Sequence, residues 1–189
     1  EAALAAQLLA DDTPRVVDLL DRLRSSGGGV VDLVVDNAGF ELCTDLLLAD
    51  HLVASGAAKT VRFRVKHHPT FVSDALEKDV DDHIATLAAD AANPAAKTVA
   101  DRWRAYRESG AFVCQAESYW AMPYPLWQMP ADLRAELKDT SGLVVVKGDA
   151  NYRRALGDRP WPLDAPFDDV CSYAPAPLLC LRTLKAELG

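Results

Sequence analysis

The sequence predicts an α/β protein, a mostly parallel sheet sandwiched between helices. Three observations carry that expectation. Short runs rich in Val, Leu and Phe alternate with segments whose apolar residues recur at helical spacing. Glycines and prolines stand where those segments begin and end. The length of 189 residues, with 50% apolar and 25% charged side chains, suits one domain with a sizeable core.

Taken in order, Thr13-Pro14 reads as an N-cap followed by proline at the first helical position, opening a helix through Leu23. Gly27-Gly28-Gly29 ends it, and Val30–Val35 reads as a buried strand. Phe40 to Ala54 carries Leu42, Leu46, Ala49 and Val53 at helical spacing and closes at Gly56. Val61–Val65 is a second strand and Asp74–Ala89 a polar-faced helix. Thr98–Glu108 is a further helix, leading to a short strand at Phe112–Cys114. Tyr119–Pro130, dense in Trp, Tyr and Pro, is expected as an ordered loop. Pro130–Leu137 is a short helix, Leu143–Val146 a strand, Asn151–Leu156 a helix and Leu178–Leu181 a last strand. Five strands separated by helices amount to a Rossmann-like three-layer α/β/α architecture, one domain over residues 1–189 with no internal repeat.

Composition narrows the function. Twenty Lys and Arg against 28 Asp and Glu give a net charge of −8, which argues against nucleic acid or anionic membrane held by bulk electrostatics. An anionic ligand has to be met by a local cluster of Lys or Arg, or by a metal. Apolar runs such as Leu143–Val146 are too short to span a bilayer. Glu1–Ala10 opens with an acid and lacks the basic flank of a signal peptide. The four cysteines (Cys43, Cys114, Cys171, Cys180) are scattered, which points to reduced, mostly buried thiols and a cytoplasmic setting rather than zinc or a disulfide framework. The sequence sets no oligomeric state.

In open α/β sheets, ligands bind beyond the carboxyl ends of the strands. The first strand is followed by Asp36-Asn37-Ala38-Gly39-Phe40-Glu41 and the second by Lys66 through Asp74. The fourth is followed by Lys147 through Arg154, and the fifth by Arg182-Thr183-Leu184-Lys185. Carboxylates, amides and cations thus converge on one sheet edge, a pattern suited to a hard cation and an anionic, oxygen-rich ligand. Each residue also has a structural reading. Asp36, Asn37 and Asp74 could cap helices, and His67-His68 could be a solvated loop pair. Lys147 and Arg154 could be surface charge, and Tyr119, Trp120, Tyr124 and Trp127 could be packing. The glycines at 27–29 precede their strand and lack a following Lys-Ser/Thr, so they do not form a phosphate loop.

Together the four segments resemble the damage-control phosphatase family, formerly a domain of unknown function, in the branch marked by an Arg-Thr-x-Lys motif. That motif is Arg182-Thr183-Leu184-Lys185 here. The supporting motifs are Asp36-Asn37-Ala38-Gly39-Phe40-Glu41, Phe71-Val72-Ser73-Asp74 and Lys147-Gly148-Asp149-Ala150-Asn151-Tyr152-Arg153. The resemblance runs from about Val30 to the C-terminus. It implies a metal-dependent phosphatase, working with Mn²⁺, Co²⁺ or Ni²⁺ on small phosphorylated metabolites, sugar phosphates such as fructose 1-phosphate among them. By position it implies Asp36, Asn37 and Asp74 as metal ligands. It implies a substrate site of Asp36, Asn37, Asp149, Asn151, Tyr152, Arg153 and Lys185, with Asp36 and Asp149 in the chemistry. It also implies that most of the family's N-terminal helical region is missing here.

The chemistry suits the resemblance. Two carboxylates and an amide oxygen make an oxygen site for Mn²⁺ or Mg²⁺, and such an ion activates water and polarises a phosphoryl oxygen. Lys185 and Arg153 can offset charge on the transferring phosphoryl group. Asp149 serves either as general acid–base or as a holder of sugar hydroxyls. Attack by water is favoured over a phospho-aspartate, because Ala38 stands where a D-x-D pattern needs its second Asp. Two alternatives stand beside this reading. One is an S-adenosylmethionine-dependent protein carboxyl methyltransferase, disfavoured because Gly39 is the single glycine in the turn after the first strand. The other is a truncated, non-catalytic domain that binds sugar phosphate or a partner.

Overall fold

The computed structural model describes residues 8–185, so most of the Glu1–Ala10 stretch lies outside the described residues. Five parallel strands form one sheet in the order β3-β2-β1-β4-β5. They are β1 (Gly29–Val34), β2 (Ala58–Arg64), β3 (Phe112–Gln115), β4 (Ser141–Lys147) and β5 (Leu178–Leu181). The described helices are α1 (Thr13–Ser25), α2 (Phe40–Ala54), α3 (Glu77–Ala89), α4 (Pro94–Ser109), α5 (Ala131–Thr140), α6 (Asp149–Leu156) and the short α7 (Phe167–Val170). Helices cover both faces, so the expected three-layer α/β/α architecture is what the chain forms.

The two faces divide by strand alternation. Val31, Leu33 and Val35 from β1 and its end, Val61, Phe63 and Val65 from β2, and Val145 from β4 face one way. There they pack with Leu42 and Leu46 of α2, Ile84 of α3 and Trp103 of α4. Val34, Val144 and Val146 face the other way, against Trp120, Leu126, Leu133 and Leu156. That second face is not wholly apolar. Asp32 of β1 and Arg62 and Arg64 of β2 are buried there side by side. Arg62 grips both oxygens of Asp32 (2.9 and 2.7 Å), and Arg64 Nε donates to Asp32 Oδ1 at 2.7 Å. Glu136 of α5 meets Arg62 at 2.6 Å, and Glu117 meets Arg64.

Several expected boundaries move. Asp12 precedes α1 without a side-chain cap bond, Thr13 is already helical, and its N–H goes to Asp11 Oδ1 at 2.9 Å. α4 begins at Pro94, where the Asn93 side chain accepts the Ala96 N–H at 3.1 Å; this cap lies upstream of Thr98. The aromatic loop contains two 3-10 turns, Ser118–Ala121 and Leu126–Gln128. α7 has no counterpart among the expected elements. Among the described residues, no helix is long and apolar enough to cross a membrane.

Candidate active site

β1 sits mid-sheet, and the chain order reverses there. β2 and β3 are laid to one side, β4 and β5 to the other. Such a switch point opens a crevice at the carboxyl ends of the two diverging strands. Past β1 the chain turns through Asp36 and Asn37 to Gly39 (φ +74°), and α2 starts at Phe40. Backbone bonds fasten this turn to the loop after β2: Ala38 N–H to Ser73 O at 2.7 Å and Ala75 N–H to Asp36 O at 3.0 Å. An isolated antiparallel bridge pairs Asn37 with Asp74.

The structural reading of Asp74 as a helix cap therefore fails. Its Oδ2 accepts the N–H groups of Thr70 (3.2 Å) and Phe71 (2.9 Å), closing its own loop, while α3 starts only at Glu77. The bond to Asn37's strand end is long-range pairing that local helix periodicity cannot reveal.

Asn37 Nδ2 donates to Asp36 Oδ2 at 3.0 Å and to Glu41 Oε2 at 2.8 Å, while Ser73 Oγ donates to Asn37 Oδ1 at 2.6 Å. Burial pushes the Asp36 carboxyl above the usual range. Glu41 and Asp74 push the same way, and Lys66 and Lys185 oppose them. Burial acts on Glu41 similarly, but hydrogen bonds from Asn37 and Lys147 outweigh it and hold that carboxyl low. Lys147 is not surface charge: its ammonium meets Glu41 at 2.9 Å and Asp45 at 2.7 Å.

Gly148 follows β4 with φ +84°, and a Cβ there would collide with the Asp36 carboxylate. Next comes Asp149, in the first turn of α6, whose Oδ1 accepts from Arg182 Nε at 2.8 Å. The Arg182 guanidinium lies 4.4 Å over the Tyr152 ring, and Tyr152 stacks on Phe167. Tyr152 thus supports the Arg182–Asp149 pair. Asn151 is buried, donating to Lys147 O at 2.9 Å and accepting from Arg154 at 3.3 Å. Arg153 is exposed and bound to Asp158 at 2.8 and 2.6 Å. Lys185 is exposed, near enough to Asp36 and Glu41 to favour both carboxylates.

A cleft of about 330 Å³ opens beside this cluster, with Lys66, Thr70, Phe71, Met122, Asn151 and Arg153 in its wall. Asp36, Asn37, Asp74, Asp149 and Lys185 are not in that wall. The cleft adjoins them through Thr70 and Phe71, whose N–H groups bind Asp74. Among the described residues no three His, Cys, Asp or Glu side chains cluster as a metal site by themselves; the expected set is two carboxylates and one amide. His67 and His68 are a ring pair 4.1 Å apart, with His68 exposed and hydrogen-bonded within its own loop at Thr70.

Sequence reasoning did not select Glu41, Lys66, Arg154 or Arg182 as site residues. Lys66 had a signal. Val61-Arg62-Phe63-Arg64-Val65-Lys66 alternates strictly, so Lys66 shares the charged face of Arg62 and Arg64 and reaches the strand's carboxyl end.

The chain matches the family described as the damage-control phosphatase ARMT1-like domain over residues 1–188. It is 40% identical to a zebrafish (Danio rerio) protein named damage-control phosphatase ARMT1, over 96% of this chain and 42% of that one. Against the mouse (Mus musculus) protein of the same name, identity is 38% over 96% of this chain and 42% of the relative. Against the human (Homo sapiens) protein of that name it is 41% over 84% and 36%, respectively. The chain therefore spans less than half the length of these relatives.

Proposed function

The chain belongs to the damage-control phosphatase ARMT1-like domain family, and on that premise we propose that it is a metal-dependent phosphomonoesterase. Its substrates in this reading are small sugar phosphates of the fructose 1-phosphate kind, hydrolysed in metabolite damage control. The observation that carries the reading is the Asn37–Asp74 bridge, which joins two loops and sets their carboxylates beside the β1/β4 switch point.

The donor set fits a hard divalent cation. Asp36, Asn37 and Asp74 offer oxygens only. Asp74 Oδ1 makes no hydrogen bond among the described residues, because both loop N–H groups go to Oδ2. Asn37 turns its nitrogen toward Asp36 and Glu41, and its oxygen, the atom a cation would take, accepts from the Ser73 hydroxyl. These three residues would hold the ion, Mn²⁺ first and Co²⁺, Ni²⁺ or Mg²⁺ after it. When bound, it supplies Lewis-acid polarisation of a phosphoryl oxygen. Lys185 offsets phosphoryl charge from the exposed side, and Arg153 does so from the cleft wall if Asp158 releases it. Asp149, oriented by Arg182, accepts sugar hydroxyls; an ionised carboxylate is an acceptor only. Four thiols that form no disulfide support a reducing, cytoplasmic setting.

The test is phosphate release from a panel of hexose and pentose phosphates by metal-stripped protein with each ion restored, Asp74→Ala running alongside. Release by the parent alone is expected. Silence across the panel with metal bound would leave a non-catalytic binding domain or methyl transfer.

A further inference from the structure

Lys66 ends the cation row of β2, and it differs from the two residues before it. Arg62 and Arg64 are matched by Asp32, Glu136 and Glu117. Lys66 is only 7% exposed, yet among the described residues its ammonium makes one hydrogen bond, to the carbonyl of Trp120, and has no carboxylate within 4 Å. Asp74 and Asp36 attract it from beyond that distance. An ammonium carries three donors, so two remain, and Lys66 is in the wall of the cleft.

A second cation beside it is in the same condition. Arg154, 9% exposed, gives its N–H groups to the carbonyls of Tyr124 (2.9 Å), Tyr119 (3.1 Å) and Trp120 (3.4 Å) and to Asn151 Oδ1, and to no carboxylate. Both cations therefore share the Trp120 carbonyl and repel each other across it. A buried cation without a counter-charge is costly. Here two are held together at one cleft in a chain of net charge −8. Neutral carbonyls and, for Arg154, the face of the Tyr119 ring at 4.6 Å fix their positions, and no carboxylate pairs directly with either, which is the arrangement an anion completes.

We propose that Lys66 is a phosphoryl-binding residue: it donates its two unused N–H groups to oxygens of the phosphate group in the cleft, with Arg154 holding the Trp120 carbonyl that positions it. The proposal rests on the phosphatase reading of the neighbouring site for the identity of its ligand.

The test is calorimetric titration of inorganic phosphate into the full chain in the presence of Mg²⁺, for the parent, Lys66→Met and Lys66→Gln, with thermal melts of each. A charged hydrogen-bond donor lost from an anion site weakens binding by roughly 10- to 100-fold. That loss is expected in both variants, without a lower melting temperature, since each removes an unpaired buried charge and Arg154 still serves the Trp120 carbonyl. A purely structural lysine gives the opposite pattern, a lower melting temperature with unchanged phosphate affinity, and that result overturns the proposal. So does a parent that binds no phosphate. Lys66-dependent binding in a protein that hydrolyses nothing on the sugar phosphate panel would retain the anion site and remove the phosphatase reading. Hydrolysis of normal KM in both variants would retain the phosphatase and remove Lys66.

Discussion

A Cβ on Gly148 would lie 2.0 Å from Oδ2 of Asp36 and 2.3 Å from its Cγ. The ends of β4 and β1 approach this closely only because position 148 has no side chain. The backbone there (φ 84°, ψ 165°) is also one that glycine alone adopts readily. Gly148→Ala is therefore expected to displace the Asp36 carboxylate and to cost about 1–3 kcal/mol of stability. Urea unfolding and a Mn²⁺ titration check this. A variant of parental stability and metal affinity would show that the close approach is dispensable.

Arg182 Nε holds Asp149 at 2.8 Å. A charge-assisted hydrogen bond of this kind contributes roughly 1.5–3 kcal/mol. Arg182→Met is expected to raise KM for sugar phosphates by about 10-fold or more while leaving Mn²⁺ affinity near the parent's. Steady-state kinetics against a metal titration separates the two, and equal losses in both would place Arg182 in general folding.

Lys185 is exposed, and its charge favours the ionised forms of Asp36 and Glu41. Lys185→Ala is expected to weaken sugar phosphate turnover far more than metal binding. An unchanged rate and KM would remove Lys185 from the site.

Asp32 is fully buried and bound by Arg62, Arg64 and Ser141. Removing one partner of a buried ionic network leaves charge uncompensated and costs about 3–5 kcal/mol. Asp32→Ala is expected to lose that much in urea unfolding. A loss below about 1 kcal/mol would mean that Glu117 and Glu136 suffice to hold both arginines.

Burial pushes the Cys114 and Cys180 thiols up to about 12 and the Cys171 thiol to about 11. The thiolate is the nucleophile, and unfolded cysteine titrates near pH ~8.5. At pH 8 these three thiols are expected to react at least about 10-fold more slowly in the native protein than in urea. The sign of the linkage follows. A raised folded pKa contributes stability that is complete below the unfolded value and is lost as pH climbs through the folded one. Urea midpoints are therefore expected to fall between about pH 8.5 and pH 11. Native reactivity equal to the unfolded rate would contradict the burial.

The strands and their order along the chain were legible because each is a short apolar or, in β2, alternating run bounded by polar or turn residues. Leu143–Val146 and Val61–Val65 fall within a few residues of β4 and β2, respectively. Asp36, Asn37 and Asp149 were legible as strand-end polar residues. α7 escaped, having four residues and no period to read. Asp74 was ambiguous, because an N-cap and a loop-closing carboxylate look alike from their immediate neighbours.

The sequence by itself determined the α/β class, the alternation that gives β2 one apolar and one cationic face, and the family to which the chain belongs. Only the tertiary structure decided which charges are answered. Lys147 and Arg154 look alike on paper as basic residues near a helix. Folded, Lys147 meets Glu41 and Asp45, whereas Lys66 meets a carbonyl, and Arg154 meets carbonyls and the ring faces of Tyr119 and Trp120, with no carboxylate on either. Charge compensation depends on distances between segments far apart in the chain. No local pattern encodes those distances, and they exist only once the sheet order has brought β2, the aromatic loop and α6 together.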